Sequence, residues 1–480
     1  MRKQHVTIIS LFIALPFFAS VVASPSVAGA ITPEAVKTAK ASATSLRFVS
    51  RFNSLSGLGG AEISAMDAKS KRLFSVNGAK NVVNIIDLKD VKNPVLVKAI
   101  DLSSQGVIGI QSIAATNGVV AVATSVGTKT EAGRVFLMDV NGKLNVSAAN
   151  GVVVGSLPDS IHFSPNGRFV LTANEGEPKD YCKVGGVLPE TSDPKGSVSV
   201  IDLRAKKLQA KTLDFSAFND RASSVISSGG RVYGPGASVA QDLEPEYIAI
   251  SEDSKYAWVT LQENNAIATI DLASGKMLGV SGLGYKNYNT EATGIDPSDR
   301  DKELRVRPVQ AFGMYQPDAI ATAQVGGKSF LFTANEGDAR EYPCLMGGTD
   351  SSVIEAEDVR YGSNGTNAAL KTDALLNRLN VTPFIPANPS GTAVTGKTTM
   401  SDAYSLGARS FSVWRAPKAG GVAAAELVYD SGNFIEKKVL EMNGTYFNAD
   451  WSTSTGFANA ADTRSDNKGP EPEGIAYGKA

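Results

Sequence analysis

Carboxylates and amides, set close together and repeated, are the chemically capable residues of this chain. The segment TANEGEPKDYC, residues 172–182, returns as TANEGDAREYPC, residues 333–344. Both copies place Asn-Glu-Gly beside further charges, and both reach a cysteine at nearly the same offset. Hard oxygen donors at this density suit Ca²⁺ or another divalent cation, which takes six to eight oxygens from carboxylates, amides, backbone and water. The candidate ligands are Asn174, Glu175, Asn335, Glu336 and Asp338 in the two copies, and Glu263 in a related Gln-Glu-Asn. Asp159, Glu246, Asp318 and Glu473, each the acid of a Pro-acid pair, complete the set. Like charges converging on one place repel unless a cation neutralises them. The competing reading has the same Asn and acid side chains capping turns and bonding loop backbone.

A phosphoesterase needs positive charge as well, to stabilise the spreading negative charge of phosphoryl transfer, together with a positioned nucleophile or water. Glu336, Arg340, Arg464 and Lys468 are the catalytic candidates, with Tyr181 and Tyr342 at matched offsets to stack on or bond a substrate. Each cation equally suits a loop salt bridge with a neighbouring acid. Phosphate loops of the Walker type, Gly-x-Ser-x-Gly and His-Glu-x-x-His are absent. Beyond His5 the chain has one histidine, His162, inside the apolar run DSIHFS. That placement reads as a packed strand residue, which argues against histidine-based catalysis.

The elements that must position these residues follow an export signal. MRKQHV is a basic start, TIISLFIALPFFASVV an apolar run, and Ala28-Gly29-Ala30 a cleavage site, so residues 1–30 read as a signal peptide and 31–45 as a linker. Removing Arg2 and Lys3 takes the formal charge from −1 to −3. No later run is long and apolar enough to span a membrane, so the mature chain is expected to carry no transmembrane segment. Charges of both signs are interspersed along the 480 residues, which leaves no basic footprint for nucleic acid. In an oxidising compartment the two cysteines, Cys182 and Cys344, suggest a disulfide between equivalent loops. Two separate thiols remain the alternative.

From residue 46 onward one plan recurs. LPDSIHFSPNGRFVLTANEG (157–176), EPEYIAISEDSKYAWVTLQENNAIATIDL (244–272) and QPDAIATAQVGGKSFLFTANEG (316–337) each give Pro-acid, a short strand, a turn and a second strand. Weaker copies lie at 60–88 and 109–140, and EPEGIAYGKA (471–480) starts another. Third strands follow, as in NVVNIIDL, GSVSVIDL and ARSFSVWRA. The pattern predicts an all-β fold, a β-propeller of YVTN-like four-stranded blades over residues 46–480, which manages strand edges by radial repetition. In a blade the loops entering the first strand and leaving the second share one face. The candidate carboxylates should therefore ring one mouth of the channel, with the insertions at 176–195 and about 338–407 forming a lid above it. A ring that stops after one strand of its last unit does not close; LRFVSRF (46–52) would serve as the outer strand of a final blade.

The ordered set ANEGEP, DPKGSVSVIDL, EPEYIAIS, VTLQENNAIATIDL, QPDAIA, TANEGDAREY and DTRSDNKGPEPEG resembles the choice-of-anchor I family. These exported bacterial propellers are similar to mesenchyme-specific cell-surface glycoproteins and to some proteins labelled alkaline phosphatase. The resemblance implies seven blades in a full-length member, hence a chain truncated at its C-terminus, and a periplasmic, cell-surface or extracellular location. Two functions stay open. One is a propeller whose acidic mouth holds calcium or a similar ion and acts in binding, with phosphoester hydrolysis beside it. The other is a metal-dependent, alkaline-phosphatase-like phosphoesterase. The partners expected are a small phosphorylated molecule or an envelope or extracellular protein.

Overall fold

The structure, a computed structural model, describes residues 47–56, 59–145, 150–184, 186–234, 236–340, 358–384, 400–417, 424–452, 457–458 and 460–478. The signal peptide, the linker, Tyr342 and Cys344 lie outside the described residues.

Five sheets of four strands follow one another along the chain, every strand antiparallel to the next. The first blade comprises Ser64–Asp67, Arg72–Asn77, Val82–Asp87 and Val95–Asp101, and the second Val107–Thr116, Val119–Val126, Ala132–Asp139 and Val152–Ser156. The third comprises Pro158–Phe163, Phe169–Asn174, Ser197–Asp202 and Ala210–Asp214. Ile248–Ile250, Tyr256–Leu261, Ala266–Asp271 and Lys276–Gly282 make the fourth. The fifth is Ile320–Val325, Lys328–Asn335, Ser410–Arg415 and Glu426–Asp430. The chain is thus an all-β propeller.

Turn chemistry sets the hairpins. Asn117 and Gly118 both take positive φ, 49° and 87°, which matches the two-residue turn whose twist suits antiparallel strands. Gly326 and Gly327 do the same in the fifth blade, at 57° and 73°. Strands then alternate between two buried faces. In the fourth blade Ala257, Val259 and Leu261 pack toward the third, against Leu171, Val198 and Phe215. Trp258 and Ile267 pack toward the fifth, against Leu331 and Trp414. The innermost strands of successive blades lie side by side, from the first to the fifth.

Connections carry the departures from regularity. Between the third and fourth blades the chain makes short helical turns at Ser216–Arg221, Ala222–Ser227 and Val239–Asp242, the last fixed by a capping box of Ser238 and Gln241. A three-stranded sheet of Tyr285–Asn287, Phe312–Met314 and Tyr404–Ser405 joins the fourth and fifth blades to the long insertion. A helix, Phe434–Asn443, follows the last strand of the fifth blade.

Two sequence expectations give way. Residues 47–52 are not a strand; they find no sheet partner among the described residues. Residues 470–478 form no strand either, although Tyr477 stacks on Phe332 of the fifth blade with ring centres 5.6 Å apart. The start of that last segment still keeps the repeat's backbone. Leu157, Gln316 and Glu471, each directly before the proline of a Pro-acid pair, all have left-handed φ, at 46°, 40° and 44°. Residues before proline ordinarily stay extended, so this shared strain marks one built device used three times.

Candidate functional site: the acidic channel mouth

The repeated Asn-Glu-Gly divides its two polar residues between different tasks. Asn174 lies at the end of its strand and donates to Ser197 Oγ (3.1 Å) and Ser199 Oγ (3.0 Å) on the next strand, while its Oδ1 accepts from Thr172 Oγ1 (2.8 Å). Asn335 repeats the arrangement with Ser410 (3.0 Å), Ser412 (2.7 Å) and Thr333 (2.8 Å). Both candidate amides are thus engaged within their own blades. Their amides clamp the second strand of a blade to the third. Gly176 (φ 71°) and Gly337 (φ 87°) then turn the chain where a side chain has no room: a Cβ on Gly337 would meet Gly407 N at 2.1 Å.

The glutamates leave the blades and converge. Carboxylate oxygens of Glu175, Glu244 and Glu263 all lie within 4.8 Å of one another, drawn from the third blade, the connector before the fourth, and the fourth. Glu244 and Glu263 are buried. Burial raises the Glu175 carboxyl well above its ordinary range, and the nearby charges of Glu177, Asp159, Glu244 and Glu263 push it the same way. Glu244 is also raised, by burial first, with Arg340 opposing and Glu263 and Asp193 adding to the rise. Sequence reasoning passed over Glu244 for Glu246, two residues on. The signal available was the shared Glu-Pro-Glu of residues 244–246 and 471–473.

Arg340 stands behind this cluster, 2% exposed. Its Nη1 meets Asp242 Oδ1 at 2.8 Å, its Nε lies 3.3 Å from Glu244 Oε2, and its Nη2 donates to the Asp242 carbonyl at 2.7 Å. The guanidinium also covers the Tyr233 ring at 4.7 Å. This catalytic candidate is thus paired with buried acids of the connector. Tyr181 is buried beside it, and burial raises its phenol well above the usual range. Asp193, buried and facing Arg340 and Asp242, is pushed up to about 8, chiefly by burial.

A second group assembles beside the fifth blade. Lys468 Nζ lies 3.1 Å from Glu471, 3.3 Å from Asp338 and 3.8 Å from Glu336. Gln262 donates to the other Glu336 oxygen at 3.0 Å. Burial pushes Glu336 up to about 7, with Lys468 opposing and Asp338 and Glu471 adding to it. Arg464 pairs with Glu471. The candidates Glu336, Arg464 and Lys468 are thus brought together, with both cations in ion pairs.

Asp159, Glu246 and Asp318 open the innermost strands of the third, fourth and fifth blades. Burial raises all three; Asp159 reaches about 6, and neighbouring carboxylates add to the rise in each case. Glu473 belongs to the same field, since its charge bears on Asp318. His162 remains a packing residue, with its ring edge-on to Tyr247 at 4.6 Å. Cys182 is disulfide-bonded.

Residues 62–480 match the model of the choice-of-anchor I domain. Gigasin-3a of Magallana gigas is 33% identical over 108 residues, 22% of this chain and 34% of that protein, so the chain spans about a third of the length of this curated relative. Among solved structures, hydrazine synthase of Kuenenia stuttgartiensis is similar at 14% identity and a TM-score of 0.34, covering 57% of this chain and 73% of that one. The Cps50 (Swd1) β-propeller domain of Myceliophteria thermophila is similar at 10% identity and a TM-score of 0.30, covering 62% of this chain and 71% of that one. No helix among the described residues is long and apolar enough to cross a membrane.

Proposed function

Since the chain belongs to the choice-of-anchor I family, we propose that it is an exported surface propeller whose channel mouth binds a divalent cation, calcium by its ligand class, and serves binding rather than hydrolysis. The observation that carries this reading is the convergence of Glu175, Glu244 and Glu263 within 4.8 Å. Oxygens about 2.3–2.6 Å from one ion lie at most about 5 Å apart, so this spacing suits a shared Ca²⁺. Export by residues 1–30 and an envelope or extracellular partner belong to the same proposal.

The pairing of the basic residues favours binding over phosphoester hydrolysis. Arg340 is held by Asp242 and Glu244, Lys468 by Glu336, Asp338 and Glu471, and Arg464 by Glu471. Calcium titration of chelator-treated protein should show about one tight site, weakened at least about tenfold by Glu263→Gln. Elemental analysis without bound metal, or calcium uptake untouched by that substitution, would sink the reading. Chelator-sensitive turnover of p-nitrophenyl phosphate would favour the phosphoesterase instead.

A further inference from the structure

We infer that a cleft between the fourth and fifth blades, at the end of the strands away from the acidic mouth, binds a neutral sugar ring. The site shares no residue with the carboxylates described above, and its test does not depend on whether they hold a metal.

Strand direction places the cleft. Asn335 and Ser410 stand opposite each other at the mouth, whereas Phe330 and Arg415 stand opposite each other near the far end of the same two strands. There the cleft is lined by the turn joining the first two strands of the fourth blade, by the corresponding hairpin of the fifth, and by Ala416 and Pro417 beyond Arg415. Its volume is about 250 Å³, just below the range of about 300–1,000 Å³ that takes drug-sized ligands. At about 30 Å³ per water that is room for about eight waters, or for one sugar ring.

One wall is built in advance. Ser251 Oγ donates to Asp253 Oδ1 at 2.7 Å and accepts from the backbone N–H of Lys255 (3.1 Å) and of Tyr256 (3.0 Å). Ser254 Oγ accepts from Asn166 N of the third blade's turn at 3.1 Å. The half-buried Tyr256 ring stands 6.3 Å from that of Trp258. A ligand meets a turn already fixed, so little ordering opposes its binding.

Unused hydrogen-bonding groups set the chemistry. Trp258 is 1% exposed, and its Nε1–H is buried with no acceptor among the described residues. Trp414, in the same apolar cluster, shows the satisfied arrangement, its Nε1 donating to Thr333 Oγ1 at 2.9 Å. An indole N–H left without an acceptor costs free energy, which an oxygen supplied from outside the chain offsets. The Tyr256 hydroxyl, the Gln324 amide and the Ser329 hydroxyl belong to residues lining the same cleft, and they too make no hydrogen bond among the described residues.

These groups discriminate between classes of ligand. A cation has no lone pair to offer the Trp258 N–H, and an anion would face the carboxylates of Glu252 and Asp253. A sugar hydroxyl both donates and accepts, so it suits an indole donor, an amide and a carboxylate in one cleft. The apolar C–H face of the ring suits an aromatic wall, which Tyr256 supplies. A free saccharide and a unit within a glycan chain share this chemistry.

The test is calorimetric titration of the purified chain with glucose, galactose, mannose and N-acetylglucosamine, each as the free sugar and as a trisaccharide. At least one should bind, and Gln324→Ala, which alters an exposed side chain, should weaken that binding at least about tenfold. Trp258→Phe keeps an aromatic ring but removes the N–H, and it should weaken binding likewise. Thermal melting followed by circular dichroism shows whether each variant folds, and Gln324→Ala decides alone if Trp258→Phe does not. Binding of a free sugar identifies a saccharide in solution as the occupant, and binding of trisaccharides alone identifies a glycan chain. No binding by any of them, or binding untouched by Gln324→Ala or by a folded Trp258→Phe, overturns the site.

Discussion

His162 shows how the interior treats a charge that has nothing to pair with. Its Nε2 is buried without a hydrogen bond among the described residues, and burial lowers its pKa from 6.5 to about 4. The fold therefore holds the neutral ring, while the unfolded chain takes up a proton below about pH 6.5. Stability should be unaffected above that pH and fall as the pH drops from 6.5 toward 4. Relative to His162→Phe, which keeps an aromatic edge on Tyr247, the native chain should lose about 2 kcal/mol between pH 7 and pH 5. Urea unfolding of both proteins across this range checks it, and parallel curves would refute it. The packing role of His162 was legible from its place inside DSIHFS. The role of Glu244 was not, because it precedes its strand, and only the connector of residues 215–243 carries it toward Glu175 and Glu263.

Within a blade, the decisive contacts run between strands distant in sequence. Asn174 bonds Ser197 and Ser199, and Asn335 reaches Ser410 and Ser412 across the long insertion. Residue type alone makes these asparagines resemble metal ligands. Strand register gives them partners within the blade, since Asn174 stands opposite Ser197 and Asn335 opposite Ser410. Asn335→Ala should cost about 2–3 kcal/mol, because it removes three side-chain hydrogen bonds and leaves buried hydroxyls without a partner. Calcium affinity should hold, as measured by titration beside urea unfolding. A loss of calcium affinity with unchanged stability would return Asn335 to the ligand set. The hairpins themselves were readable, because Asn-Gly and Gly-Gly set turns locally; the long insertion was readable only as an interruption.

For the whole molecule, repetition was the most legible property. Pro-acid openings located the innermost strands of the third, fourth and fifth blades, and alternating apolar residues located the rest. What the pattern left open was convergence, since a linear repeat gives the place of each acid in its blade but not which of them meet. Glu175, Glu244 and Glu263 meet within 4.8 Å although they come from the third blade, the connector before the fourth, and the fourth.

Each blade is contiguous in sequence and rests on its neighbours alone, and that arrangement has a mechanical meaning. Once the disulfide of Cys182 is reduced, tension applied to the two ends of such a chain meets no covalent crosspiece, so it peels one blade at a time. Optical-tweezer extension should show discrete steps, about 130 Å of contour for the first blade and about 190 Å for the third, at about 3.4 Å per residue; a single rupture would contradict it. The fifth blade is the exception, because the insertion between its second and third strands would lengthen its step well beyond the others. A protein so organised on a cell surface would yield to shear gradually, giving up length before it gave up its last folded blade.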